Sequence, residues 1–552
     1  MNTIGTEHRM RTARALSKGV AGFLAMCVTL GSCVPVWSPS VSPPTSAAVA
    51  QTMPASSKEP KAPSLKLHLH SGELIIATVW LEDTTARTLR VSGTLYDANR
   101  RSLGPVQRAV PMDSIALVQA STPGNAYPGG LVMLAIWGTG ATIVSGSCLA
   151  DPKSCFGSCP TFYAQGDTSF IQAEGFSASP LRALEARDMD HLYFAASPPG
   201  PFVLRMRNEA LETHALRSVR LLIAPQPING RIFHSPSDDL YPAYDLTAPT
   251  RCQSAKGDCA ASVASLDRDE WQSVTDSTDL AAQEVVELTF DRTEFAPHGR
   301  FDETAHVGLV LGARHTLVST FLFYQALAFA GGDAGEALAR LERGPVAAQP
   351  PLFAALRSLG SIGISVSADG VNWNAAGHLL EAGPLATDPQ IVPLTLPAGT
   401  GPVRIRLSLT KGYWRLNYAA LARLGARVEP MVLLPVSVKS EGRTVAGASA
   451  AAALADPTRV LVTGPGDDYA LTFALPASLP LPSGRWEVFL ESTGWYYEWM
   501  RDEWIAEQDA ARATQLLYSP RDAFRALAPV FKSREATNER AFWQSRITRG
   551  RP

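Results

Sequence analysis

Apolar and polar residues alternate along this chain in short runs, each closed by glycine, proline or a pair of acids, and a period of two is the signature of half-buried strands. Leu65-Lys-Leu-His-Leu-His-Ser-Gly, Phe202-Val-Leu-Arg-Met-Arg-Asn and Val403-Arg-Ile-Arg-Leu-Ser-Leu-Thr all follow it. The 42 glycines and 41 prolines supply turns at a density that suits β-structure better than long helical bundles. With 552 residues, 46% of them hydrophobic and only 18% charged, the chain can bury several cores, which implies three or more domains. The expected class is therefore mainly β and multidomain. A small SH3-like β-barrel comes first, then β-sandwich or jelly-roll-like domains with helical insertions, and finally a C-terminal helical region.

Changes of pattern place the boundaries. Residues 65–120 read as the small barrel, and 151–310 as a β-rich sandwich. Between them, residues 121–150 form an apolar, helix-like segment whose centre, 129–146, carries no charge. That run is long enough for a membrane span, but crossing would separate the strand-rich blocks and their cysteines across a membrane, so a buried or membrane-surface helix is expected. Residues 311–345 suit two helices broken at Gly331-Gly332. Residues 346–427 return to strands, 428–492 form a further β-rich segment, and 493–552 read as C-terminal helices, with Trp495 and Trp499 one helical turn apart. In the stretch 360–425 a strand, the turn Asp369-Gly370 and Trp373 precede later strands, an order that resembles discoidin or galactose-binding jelly rolls at the level of fold.

The amino-terminal segment carries location. Arg9, Arg11, Arg14 and Lys18 precede the apolar run from Gly19 to Leu30, and small residues lead into Cys33. As a helix, twelve residues rise only about 18 Å, short of a membrane core of about 30 Å. Leu30-Gly31-Ser32-Cys33 resembles the lipobox of bacterial lipoproteins. That resemblance implies a signal peptide over 1–32, cleavage before Cys33, and a diacylglycerol on its thiol with further acylation (palmitate) at the new amino terminus. Residues 33–64, rich in Pro, Ser and Ala, would then be a disordered, lipidated tether. Val34 stands where the family's sorting rule places aspartate for inner-membrane retention, so the outer membrane is favoured. The membrane is thus the one partner implied directly. Losing four basic and one acidic side chain takes the net charge from −2 to about −5, which offers no footprint for nucleic acid. No cofactor is read beyond the lipid on Cys33.

Cys27 falls in the leader and Cys33 on the lipid. Of the other cysteines, Cys252 and Cys259 flank a Lys-Gly-Asp turn that brings them within reach of a disulfide. Among Cys148, Cys155 and Cys159 at most two can pair within the chain, which leaves one thiol over, and Cys155 with Cys159 is a candidate pair. Cys155-Phe-Gly-Ser-Cys159-Pro160 has a spacing similar to that of Sco-type copper chaperones, which would imply two thiolates holding Cu(I). The residues that follow read as a hairpin, whereas such a site needs a helix opening at the second cysteine. The same stretch, Ser158-Cys-Pro-Thr-Phe-Tyr163 with a later Ala173-Glu-Gly-Phe176, resembles a group of uncharacterised bacterial envelope proteins, a likeness that implies no activity.

No nucleophile elbow, zinc-binding HExxH or P-loop occurs. Acids cluster at Asp238-Asp239, at Asp258 with Asp267, Asp269 and Glu270, and at Asp467-Asp468, the sort of loop pairs that serve a glycosidase or bind calcium but are more often solvated. His68 and His70 share one face of a strand, a pair too few for a metal site and expected to face solvent. His306 and His315 read as structural. Trp373, Trp414 and Trp495 are the candidate ligand-binding aromatics, suited to stacking on a sugar or filling a partner's pocket. These features favour a membrane-anchored, non-enzymatic binding or structural module of the envelope, whose partner is an envelope glycan or protein. The alternatives are an envelope hydrolase acting on glycan or peptide, or a thiol/copper protein using Cys155 and Cys159.

Overall fold

The computed structural model describes residues 36–42, 65–69, 71–97, 101–124, 159–164, 170–193, 201–267, 269–273, 282–292, 306–343, 361–380, 383–397, 401–440, 447–476 and 483–544. They are mainly β-strand and divide into an amino-terminal unit and a larger unit from Cys148 onward. Cys33, Cys155 and the apolar segment 129–146 lie outside the described residues.

The amino-terminal unit is one six-stranded sheet in the order β1-β6-β2-β3-β4-β5. Its strands are β1 (Val36–Ser42), β2 (Leu65–Leu69), β3 (Leu74–Asp83), β4 (Thr88–Tyr96), β5 (Ser102–Pro111) and β6 (Ile115–Gly124). Leu65, Leu67, Ile75, Leu89, Val91, Val110 and Ile115 come from five of these strands and share one core. A single sheet that buries its apolar face against itself must curl, and this one does so as the small β-barrel. β1 corrects the reading of 33–64 as tether throughout: Val36–Ser42 pairs antiparallel with β6, because edge β6 can accept even a Pro- and Ser-rich partner through backbone groups alone. His68 is buried in β2 and does not face solvent.

Four sheets build the larger unit. The first, S1, orders β25 (Ser437–Ser440), β27 (Asp468–Phe473), β10 (Phe202–Arg207), β7 (Thr161–Ala164) and β8 (Ala173–Glu174). The second, S2, orders β24 (Met431–Leu433), β11 (Glu212–Pro225), β28 (Trp486–Glu498) and β9 (Ala186–His191), with β26 (Leu461–Thr463) also on β11. Phe162, Leu204, Leu471 and Phe473 of S1 meet Leu216, Val219, Leu221, Val488 and Leu490 of S2 in one core, which helix α4 (Gly447–Ala455) closes with Ala450 and Leu454.

The third sheet, S3, orders β13 (Leu240–Thr247), β12 (Gly230–His234), β21 (Asp388–Leu394), β18 (Val307–His315), β23 (Trp414–Leu424) and β16 (Trp271–Gln272). The fourth, S4, orders β15 (Gly257–Asp258), β14 (Arg251–Ser254), β17 (Gln283–Phe290), β22 (Val403–Thr410), β19 (Ser361–Ser367) and β20 (Asn374–Leu380). β18 is buried at every position, so Val-Gly-Leu-Val-Leu-Gly reads as a continuous apolar run, as a central strand covered on both faces should.

This layout corrects the linear partition into 151–310, 346–427 and 428–492. Strands from 161–225 pair with strands from 431–498 to make one sandwich, and the whole of 230–424 is inserted between them as a second. The reason lies in long-range pairing: β11 runs antiparallel to β28 from Glu212↔Glu498 to Pro225↔Trp486, while β17 runs against β22 and β18 against β23 inside the insert. Met189, Leu222 and Phe489 of the host sandwich pack on Ile232 and Leu240 of the insert.

Apart from α4 and a single turn at Ala260–Val263, the described helices gather at one place. α1 (Ala260–Val263) is a single turn; α2 (Val318–Ala330) and α3 (Ala334–Arg343) flank a 3-10 turn at Gly331–Asp333. Gly331 sits at φ 52°, with Gln508 Cβ only 2.5 Å from where its own Cβ would stand. α5 (Asp502–Ala506), α6 (Ala510–Tyr518) and α7 (Pro520–Gln544) complete the set. Asp509 caps α6 by accepting from the Ala511 and Arg512 amides. Phe321 of α2 packs on Phe531 of α7 at 5.3 Å, and Tyr324 on Trp504 at 4.9 Å. No described helix is long and apolar enough to cross a membrane.

Trp495 lies on β28 and not on a helix. β28 is a central strand buried on both faces, so its sequence Trp-Glu-Val-Phe-Leu-Glu-Ser-Thr-Gly-Trp-Tyr-Tyr-Glu loses the alternation that would mark it, and the tryptophan spacing mimics a helical turn.

Candidate functional site

The cysteines separate clearly. Cys252 on β14 and Cys259 just after β15 form a disulfide with Cα atoms 5.0 Å apart. The β14–β15 hairpin turns at Lys256 with Gly257 at φ 101°, and this tight return places the two Sγ atoms together. Cys159, in contrast, is an unbridged, buried thiol. Burial, with Glu212 and Glu174 nearby, pushes it well above the ordinary thiol range, so it stays protonated, the reverse of a Cu(I) ligand or a redox nucleophile. β7 and β8 follow it as an antiparallel pair, with no helix opening at the cysteine.

The acid pairs named from sequence disperse into local bonds. Asp238 pairs with Arg187 at 3.7 Å and Asp239 with Arg427 at 2.7 Å. Asp258 accepts from the Ala260 amide and Asp267 from the Asp269 amide. Glu270 is clamped by Arg314 at 2.6 Å and Arg415 at 3.2 Å; burial opposes its charge, but the two guanidiniums hold its carboxyl below the usual range. Asp467 accepts from the Gly464 amide, and Asp468 binds Arg205 and Arg207. His315 packs against the rings of Tyr413 and Trp414 at 4.5 and 4.6 Å, and His306 is exposed.

Two ionisable clusters that the sequence did not reveal occupy the interior. The first joins host and insert. Glu487 of β28 takes hydrogen bonds from His191 of β9 at 3.1 Å and from both Nε and Nη2 of Arg231 of β12. Burial opposes its charge, yet these donors keep Glu487 down at about 2, while burial lowers His191, so a neutral imidazole donates to a carboxylate. Asp388 of β21 accepts from His234 Nε2 at 2.7 Å, from the His191 amide at 2.9 Å and from Gln390 at 3.0 Å. Burial works against both charges, but their mutual attraction raises His234 and lowers Asp388, fixing them as an ion pair. Beside them, Asp188 takes the Phe176 amide at 2.6 Å and is pushed up to about 7 by burial.

In the second cluster Glu212 and Glu498 stand opposite in the β11–β28 register. Tyr324 donates to Glu498 at 2.7 Å, Arg501 approaches it at 3.3 Å, and His214 lies 3.0 Å from Glu212. Burial and the neighbouring Glu212 raise Glu498 well above the carboxylate range, so Glu498 is held protonated beside Glu212. Glu212, Glu487, His191, His234 and Asp388 are all buried. Both clusters are sealed by packing and are used in joining layers.

The aromatic candidates divide. Trp414 is 0% exposed and Trp495 6% exposed, so neither can stack on a ligand. Arg182 and Arg217 cover the Trp495 ring at 5.6 and 5.5 Å. Trp373 alone of the three reaches the surface, half-buried at the β19–β20 turn. Asp369 organises that turn, accepting from Ser367 Oγ and the Val371 and Asn372 amides, and these donors hold its carboxyl far below the usual range. The Arg406 guanidinium lies 3.9 Å from the centre of the Trp373 ring and donates through Nε and Nη2 to Glu287 at 3.1 and 2.7 Å. The site so built is an exposed sheet face carrying one aromatic plane and a fixed guanidinium. Among the described residues no group of three His, Cys, Asp or Glu is arranged to hold a metal.

Comparison with known proteins adds little. No protein-family profile matches this sequence, and no curated protein does. Among solved structures, the cycloalternan-forming enzyme from Listeria monocytogenes in complex with pentasaccharide substrate is similar at 9% identity over 66% of this chain and 29% of that one, with a TM-score of 0.15. This chain therefore spans less than a third of that enzyme, and a likeness at that score carries no statement about fold or function.

Proposed function

We propose that this chain is a lipid-anchored protein of the bacterial cell envelope, held outside the cytoplasm through Cys33 with the outer membrane favoured, and that it acts as a non-enzymatic binding or structural module. The observation that carries the second half of this reading is the contrast between interior and surface. Glu487, His234, Asp388, Glu498 and Cys159, all with altered acidity, are buried inside the fold, whereas Trp373 stands at an open sheet face. The first half rests on the Leu30-Gly31-Ser32-Cys33 sequence, and the Cys252–Cys259 disulfide is consistent with an oxidising compartment.

The hydrolase alternative would draw on Glu212 and Glu498, two carboxyls that face each other across the β11–β28 pairing. It requires an opening that would admit substrate past Tyr324 and Trp504. The thiol/copper alternative is disfavoured by the raised pKa of the buried Cys159 thiol. Growing cells with a fatty-acid analogue tests the anchor: wild-type protein incorporates label and Cys33→Ala does not. Label retained in that variant, or intact protein recovered with its leader uncut, contradicts the assignment.

A further inference from the structure

We propose that the tip of the β3–β4 hairpin rests on the lipid bilayer that holds this chain, with Val79 and Leu81 buried in the bilayer's interface. This rests on the Cys33 anchor and is separate from the aromatic face at Trp373. The pairing registers place the tip beside the anchor. Ser40 of β1 stands opposite Ala120 of β6, Ala120 opposite Leu65 of β2, and Leu65 opposite Ala77 of β3, so one row crosses four strands. Three antiparallel pairings in succession leave β1 and β3 running in opposite directions. Val36 lies four residues before Ser40 and Leu81 four residues after Ala77, which puts both about 13 Å from that row at the same end of the sheet. Only Val34 and Pro35 separate Val36 from Cys33. Three residues span at most about 11 Å, so an acylated Cys33 holds this end of the barrel at the membrane surface.

What stands at that end is apolar. Val79 is 57% and Leu81 67% exposed, while Trp80 between them turns into the barrel core. β2 begins opposite Ala77, so among the described residues only β4 flanks β3 from Thr78 onward, and the hairpin projects past the rest of the sheet. Its turn is fixed from within: Asp83 accepts the Ala86 amide at 2.9 Å and faces Arg90 at 3.9 Å. A preformed tip loses little further freedom on docking. Glu82 and Asp83 balance Arg87 and Arg90, so residues 79–90 carry no net charge. Apolar area, and not attraction to anionic headgroups, therefore drives the contact, which makes it indifferent to salt. Leu103, 55% exposed, stands just past the β4–β5 turn at the opposite end of the sheet and is the internal control. The bilayer is the apolar phase that the anchor itself brings to the hairpin, whereas a second copy would need the hairpin tilted away from the membrane to which the chain is tied. With lipid at Cys33 and the hairpin as a second contact, the barrel cannot turn freely about its link.

Photolabelling from within the bilayer decides the matter. Full-length lipidated protein is reconstituted into vesicles of phosphatidylethanolamine and phosphatidylglycerol that contain a phosphatidylcholine with a diazirine on its acyl chain, irradiated, digested and read by mass. Label on the peptide holding residues 79–90 is expected at least tenfold above that on the peptide holding Leu103, and unchanged at about 1 M salt, where charge attraction is screened. The double variant Val79→Ser, Leu81→Ser is expected to lose at least fivefold of that label. Leu103→Ser should lose none, and both should keep the wild-type circular dichroism spectrum, which guards against a folding artefact. Equal label on the two peptides, or label on residues 129–146 with the hairpin bare, overturns the docking; flotation with the vesicles and fatty-acid incorporation would still leave the Cys33 anchor standing. Label that disappears in high salt overturns the apolar contact. A detergent-solubilised dimer that the double variant turns into a monomer overturns the bilayer in favour of a second copy. Wild-type protein that neither floats nor takes up fatty acid overturns the anchor and this proposal with it.

Discussion

Glu174, on strand β8 of the host sandwich, accepts a 2.7 Å hydrogen bond from the backbone N–H of Leu385, 211 residues away in the insert. A second amide, that of Ala386, approaches the same oxygen at 3.4 Å. Burial outweighs these donors and pushes the carboxyl up to about 7. The folded state thus holds a proton that the unfolded chain gives up at the ordinary value of 4.5. Stability from this group is complete below about pH 4.5, falls as the pH rises toward 7 and is level above. Glu174→Gln keeps an acceptor for Leu385 and cannot ionise, so it is expected to match wild type near pH 4.5 and to exceed it by about 2–3 kcal/mol at pH 8. Urea unfolding at the two pH values reads the difference, and equal midpoints at pH 8 contradict the account.

Glu487 carries the opposite sign. It is charged in the folded state at any pH above about 2, so it contributes above its unfolded value near 4.5 and is lost only in strong acid. Glu487→Gln leaves the Arg231 guanidinium uncompensated beside the host–insert joint and is expected to cost about 3 kcal/mol at pH 7. Thermal unfolding of the variant should show the loss, and a change below about 1 kcal/mol would mean that the joint does not depend on this charge.

The joint was not legible in the sequence, and the reason is physical. His191, Arg231, His234, Asp388 and Glu487 sit on four strands that the chain visits far apart, and long-range pairings such as β28–β9 and β12–β21 bring them together. One local sign was available: Glu487, Glu491 and Glu498 each interrupt a run of large apolar residues in β28, and an acid inside such a run needs a buried partner. The nested insertion was hidden for the same reason. Alternation reports that a segment is a strand, which is why the mainly β, multidomain class could be read, but it says nothing about which distant strand is its neighbour. Where the relationship was local it could be read: Cys252 and Cys259 are joined across their own hairpin.

That disulfide closes a loop of sequence separation 7. Loop-closure entropy alone gives a stabilisation of about 2.5 kcal/mol for a ring of this size. The double variant Cys252→Ser, Cys259→Ser should lose about that much in chemical unfolding. Titration of thiols in denatured wild-type protein before and after reduction should differ by at least two, and no difference would exclude the bond.

The tryptophans offer a test of placement. Trp414→Ala empties a site in the core and is expected to cost about 3–5 kcal/mol. Trp373→Ala removes a surface ring and its contact with Arg406, at a cost of about 1 kcal/mol or less. Acrylamide should quench a fluorescence component that disappears in Trp373→Ala. Equal destabilisation by the two variants would contradict the assignment of one to the core and the other to the surface.

The central claim, that the exposed face around Trp373 is where this protein meets the envelope while its ionisable interior serves the fold, is tested most directly by co-sedimentation of the purified protein with isolated envelope fragments stripped of its own copies. The account predicts that wild-type protein and Glu212→Gln are retained alike, and that Trp373→Ala is retained at least tenfold less. Retention unchanged in Trp373→Ala but abolished in Glu212→Gln would contradict it.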